Sequence, residues 1–67
     1  MNTTYTVTGM TCQHCVASVT EEVGAVPGVT AVRVDLDSGR LDVTSEAPVS
    51  AHAIAAAVDE AGYELAP

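Results

Sequence analysis

The chain has 67 residues, nine acidic side chains and only two basic ones, Arg33 and Arg40, for a formal net charge of −7. Nucleic acids and anionic membrane surfaces are both met with clustered Lys and Arg, so neither is an expected partner. The length fits one domain, residues 1–67, whose core is built mainly from Val and Ala, with no Phe or Trp. So little material leaves no wall for an enzyme's substrate pocket, and the reading tilts from an enzyme toward a binding or carrier module.

The acidity points to a partner with a basic docking face, or else serves only solubility. Residues 1–8 have no basic n-region and no apolar stretch, and no run approaches the roughly 18 apolar residues of a membrane span. The expected location is cytoplasmic, without membrane insertion, and thiols there are normally reduced.

In chain order, Thr4 to Thr8 alternates, with Tyr5 and Val7 on one face, and predicts a strand that Gly9 ends. Val16, Val19, Val23 and Val26 recur at helical spacing, and Pro27-Gly28 stops that helix. Val32, Val34 and Leu36 alternate with Arg33 and Asp35; Asp37-Ser38-Gly39 turns the chain, and Leu41 and Val43 complete a hairpin. Ser50 is a plausible N-cap for a second helix with Ile54, Ala57, Val58 and Ala61 as its apolar stripe. Gly62 caps it, and Tyr63 to Leu65 is a closing strand. The order β-α-β-β-α-β predicts an α+β, ferredoxin-like sandwich: a four-stranded antiparallel sheet with both helices on one face. Elements run nearly from residue 1 to residue 67, as expected of a free-standing protein.

Chemistry concentrates in Gly9-Met10-Thr11-Cys12-Gln13-His14-Cys15, which holds both cysteines of the chain. Cys12 is expected in the loop and Cys15 in the first helical turn, where unpaired backbone N–H groups and the positive helix end favour thiolate. Most carboxylates are expected at distant turns and helix ends, leaving those local donors to prevail. Two thiolates on a short loop suit a soft, low-coordinate ion, and Cu(I) is the simplest fit. Structural zinc sites and iron–sulfur clusters normally take four protein ligands. His14 and His52 are the other nominal donors, but their spacing is not that of a zinc finger.

Gly9-Met10-Thr11-Cys12-x-x-Cys15, Val26-Pro27-Gly28-Val29 and Ala61-Gly62-Tyr63 together span the chain. On these motifs it resembles the heavy-metal-associated domains, most closely the free-standing bacterial copper chaperones of the CopZ type. The resemblance implies Cu(I) on Cys12 and Cys15, handed to a copper-transporting P-type ATPase or to a copper-responsive repressor. Thr11, and the absence of any acid from Gly9 to Thr20, favour copper over zinc, cadmium or lead within such a family. The domain is expected to be monomeric when apo, with copper-bridged dimers at high loading.

Each residue also has a plainer reading. The Cys pair can serve as a dithiol–disulfide redox couple, or the protein can buffer and store copper. Met10 reads as packing under the loop rather than as a ligand. His14 either tunes or assists the metal site or is simply solvated, and His52 reads as solvated. Tyr63 either packs over the site and limits water, as the resemblance suggests, or belongs to the core. Glu21, Glu22, Asp59 and Glu60 at the helix ends are solvated by default, with electrostatic steering as the other reading.

Overall fold

The computed structural model describes residues 1–66. Its elements are β1 (Asn2–Thr8), α1 (Gln13–Gly24), β2 (Val29–Asp35), β3 (Arg40–Ser45), α2 (Ala51–Glu60) and β4 (Glu64–Leu65). The order is the predicted one, and the four strands form an antiparallel sheet in the order β2-β3-β1-β4. Among the described residues no helix is long and apolar enough to cross a membrane.

Alternation sorts the strands as expected: Val7, Leu41 and Val43 turn inward and are buried, while the intervening threonines of β1 stay exposed. α1 packs on β2, α2 packs on β4, and the helices touch each other. Val19, Val23, Ile54 and Val58 close the core from the helix side with no exposed surface. Tyr5 and Tyr63 are only partly buried at its margin.

Two strand starts and the buried face of α1 differ from the sequence reading for tertiary reasons, and β2 runs Val29–Asp35, leaving Leu36 in the turn. β1 begins at Asn2 because its ladder with β3 runs on to Asn2↔Thr44, and the Ser45 N–H reaches the Met1 carbonyl at 2.8 Å. β4 begins after Tyr63 because that residue's N–H is spent on the helix: it donates to the Val58 carbonyl while Gly62 N–H donates to Asp59. This pair of bonds, with Gly62 at φ 95°, is a Schellman cap. The buried stripe of α1 is Cys15, Val19 and Val23, whereas Val16 is half-buried. Ser50 caps α2 as expected, its hydroxyl accepting from the Ala53 N–H at 3.0 Å.

The β2–β3 turn is tied to β1 just before the cysteine loop. Val7 N–H donates to the Gly39 carbonyl at 2.7 Å, and a Cβ on Gly39 would stand 2.6 Å from the Val7 carbonyl oxygen. Gly39 also sits at φ 74°. Gly39→Ala is expected to cost about 2 kcal/mol or more, since left-handed backbone alone costs about 1–2 kcal/mol and the clash adds to it. Denaturant unfolding of the variant checks this, and a midpoint equal to wild type would contradict it.

Candidate metal centre

β1 delivers the chain into the loop Gly9–Cys12, and α1 leaves it. Cys12 is the N-cap of α1, with extended backbone (φ −157°), and its carbonyl accepts from the Cys15 N–H at 3.0 Å. Ser, Thr, Asp or Asn usually fills this position and spends its side chain on the helix. Here the side chain makes no cap bond, so its sulfur stays available. Cys12 is exposed and Cys15 is buried, both are free thiols, and their Sγ atoms lie 3.5 Å apart.

Cys15 is the activated member. Its pKa falls from 9.0 to about 6, chiefly through the backbone N–H of Thr11 and then the Tyr63 hydroxyl, with Cys12 groups adding to this and burial opposing it. The Thr11 hydroxyl is also 3.8 Å from the same sulfur. Tyr63 shows the reciprocal effect: its phenol is pushed up by its hydrogen bond to Cys15, then by burial and by the charge of the two sulfurs. Tyr63 comes from the far end of the sequence, and its ring reaches the loop where Gly9 (φ 92°) would carry a Cβ 3.5 Å from Cδ1. Met10 is partly buried and packs against the core.

The carboxylates do not sit where the sequence reading put them. Ladder pairs Thr8↔Glu64 and Asp35↔Arg40, with Thr6↔Arg40, place Glu64, Asp35 and Asp37 at the loop end of the molecule. α2 runs toward that end too, bringing Asp59 and Glu60, so five of the nine acids lie there. Glu21 and Glu22, near the end of α1, lie at the opposite end of the molecule. The groups that lower the Cys15 pKa are the local donors of Thr11, Tyr63 and Cys12.

His14 follows Gln13 on the exposed surface of α1, where its carbonyl accepts from the Ser18 hydroxyl. His52 is exposed at the start of α2, at the other end of the molecule. Among the described residues no three His, Cys, Asp or Glu side chains are grouped to hold an ion. The donors brought together are therefore two sulfurs, soft ligands suited to thiophilic ions of low coordination number. Two metal–thiolate bonds of about 2.3 Å span at most about 4.6 Å. A 3.5 Å separation lies inside that reach, so both sulfurs can bind one ion, at a bent angle unless they draw apart.

The lowered pKa gives stability a pH dependence. Ionised Cys15 favours the fold fully above pH 9.0 and loses that effect as pH falls through about 6. The unfolding midpoint of reduced apo protein should therefore rise across this window relative to Cys15→Ser, which removes the group. Tyr63→Phe should narrow the difference and raise the thiolate transition seen by ultraviolet absorbance. Coincident titrations of wild type and Tyr63→Phe would remove Tyr63 from the site.

The structure is a small ferredoxin-like domain with two free thiols side by side at the start of α1. Its sequence matches the heavy-metal-associated domain family over residues 4–64, and the chain belongs to that family. It is 51% identical over 59 residues to the COP-associated protein of Helicobacter felis, covering 88% of this chain and 89% of that one. It is 47% identical over 64 residues to the copper chaperone CopZ of Bacillus subtilis, covering 94% and 93%. A solved CopZ metallochaperone superposes with a TM-score of 0.91 at 27% identity, over 98% of this chain and 100% of that one.

Proposed function

We propose that residues 1–67 act as a single-domain cytosolic carrier, not an enzyme, that holds one Cu(I) between the sulfurs of Cys12 and Cys15. Copper chaperones among its relatives support the metal class. The observation that carries the reading is the asymmetry of the pair: a buried thiolate with pKa about 6 anchors the ion, and an exposed sulfur 3.5 Å away can let go. Transfer needs no redox step. An incoming thiolate of the acceptor bonds to copper, the exposed Cys12–copper bond breaks, and exchange at Cys15 follows with the ion still Cu(I).

The acceptor is a copper-transporting P-type ATPase or a copper-responsive repressor that presents thiolates. The carboxylates of Asp35, Asp37, Asp59, Glu60 and Glu64 around the loop end suit a basic docking face on it. Thr11 and Tyr63 hold the thiolate, Met10 supports the loop, and His14 faces whatever docks. At excess copper the exposed Cys12 lets an ion bridge two copies.

An anaerobic titration of reduced protein with Cu(I) against a chromophoric competitor, with Zn(II) in parallel, tests the proposal. Tight uptake of one Cu(I) that outcompetes Zn(II) and disappears in Cys12→Ser/Cys15→Ser is the expected result. Weak or unselective uptake overturns it and favours the dithiol redox reading, for which the 3.5 Å approach of the sulfurs is the structural ground.

A further inference from the structure

The outermost strand of the sheet presents backbone and side-chain features that the cysteine loop does not use. β2 pairs with β3 on one side only. On that side the Asp35 carbonyl accepts from the Gly39 N–H at 2.9 Å. Peptide groups alternate between the two edges of a strand, so the N–H and C=O of Val32 and Val34 point outward. Such an edge is a template for another strand, and proteins usually blunt it with Lys, Pro or a bulge. Val32 to Asp35 contain neither Lys nor Pro, and the one irregularity lies before them, between Val29 and Ala31.

Room for side chains flanks this edge on both faces of the sheet. On the helix-covered face a groove of about 170 Å³ between α1 and β2 is lined by Thr20, Gly24 and Val32. Nothing lies within 4 Å of a Cβ built on Gly24. On the opposite face a depression of about 570 Å³ is lined by Arg33, Asp35, Arg40 and Asp42. Asp42 is held there by Arg40 Nε at 2.9 Å and by the Thr4 hydroxyl at 2.9 Å. Among the described residues Arg33 makes no ion pair, so its exposed guanidinium is unspent.

We infer that this edge takes an added strand from a basic partner polypeptide, antiparallel to β2, with an acidic residue opposite Arg33 between two small apolar residues. Strand addition draws affinity from main-chain hydrogen bonds and specificity from sites for alternate side chains, and β2 offers both. The molecule already shows the order that β2 reads: across Asp35, Val34, Arg33 and Val32, β3 sets Arg40, Leu41, Asp42 and Val43. The added strand repeats that order in kind, as basic, apolar, acidic, apolar. Its apolar residue opposite Val32 enters the groove beside Gly24, and its acid meets the unspent guanidinium. Asp35 selects less strongly, because its carboxylate already accepts from the Asp37 N–H and the Ser38 hydroxyl. A second copy is not the occupant: the net charge of −7 on each chain opposes it, and the same charge favours basic residues flanking the acid. Neither cysteine takes part, so this surface is separate from the metal centre.

The probe is a capped synthetic peptide, Lys-Lys-Val-Glu-Val-Lys, titrated into reduced metal-free protein and followed by amide chemical shifts and hydrogen exchange. Saturable shifts at Val32, Val34 and Gly24 are expected, with the Val32 and Val34 amides gaining protection. A peptide with Lys in place of Glu is more strongly drawn to an acidic protein by charge alone. It should nevertheless bind about tenfold more weakly, since an attractive cross-strand pair becomes a repulsive one. Arg33→Glu should reverse that preference while leaving the fold intact, because Arg33 is exposed and has no ion pair to lose. Val34→Pro removes an outward N–H and should abolish binding; if that variant unfolds, the reversal in Arg33→Glu carries the test. No saturable shift up to millimolar peptide would overturn the inference. Shifts centred on the acids of the loop end, or tighter binding of the all-Lys peptide by wild type, would overturn it as well.

Discussion

Replacing Cys15 with serine is expected to lower Cu(I) affinity at pH 7 on the order of a thousandfold or more, about 4 kcal/mol. The hydroxyl is a hard donor and does not ionise near neutrality, so one of only two soft ligands is lost. Nothing nearby replaces it: among the described residues no further His, Cys, Asp or Glu joins the pair to hold an ion. The two single variants should not be equal. Cys12→Ser keeps the sulfur that Thr11 and Tyr63 hold ionised, with its pKa at about 6, whereas Cys15→Ser keeps only the exposed one. Competitor titrations should therefore rank wild type far above Cys12→Ser, and Cys12→Ser above Cys15→Ser. The same argument sets the pH profile. Protons compete for Cys15 once pH falls below about 6, so affinity should decline more steeply there than above. A Cys15→Ser protein that still binds Cu(I) like wild type would place the ion elsewhere.

Local patterns made most of this architecture legible. Alternation in residues 32–35 and 41–43, the Ser50 cap and the Gly62 stop each act within a few residues, and each appears where its chemistry requires, whereas Leu36 falls in the turn rather than the strand. The phase of α1 was not legible in the same way. Val16 and Cys15 are adjacent apolar residues, and only packing against the sheet decides that Cys15 joins Val19 and Val23 inside. That choice matters for the site, because it recesses one sulfur of the pair while the other stays in the loop.

Contacts between distant parts of the chain escaped the sequence for a simpler reason. The reach of Tyr63 to Gly9, and of Val7 to Gly39, depends on strand order and register, which no local spacing encodes. The arrival of Asp59 and Glu60 at the loop end follows from the direction of α2, which a count along the chain cannot reveal. His14 looked eligible because it stands between the cysteines. On a helix, however, adjacent residues do not face each other, and burying Cys15 turns its neighbour outward.

Ile54→Ala should leave the apo protein largely unfolded at 37 °C. Ile54 has no exposed surface and joins Val19, Val23, Val58, Leu41, Val7 and Val43 in a core without a fully buried aromatic. Truncating such a residue costs about 2–5 kcal/mol, partly through the cavity left behind. A core in a chain this short rarely supplies more than about 3–5 kcal/mol in total, so the change consumes most of the margin. Ile54→Val, at about 0.5–1.5 kcal/mol, should remain folded with a lower midpoint. Copper then becomes a measure of coupling between core and loop. Ligand at a thousand times its dissociation constant adds about 4 kcal/mol to the folded state, less whatever the unfolded thiols bind. Circular dichroism of Ile54→Ala should therefore show helix returning as Cu(I) is added and vanishing when a strong chelator removes it. An apo Ile54→Ala protein with the wild-type midpoint would show that this side chain contributes little to the core. Helix that stays lost at saturating Cu(I) would show that the loop grips the ion without needing the fold beneath it.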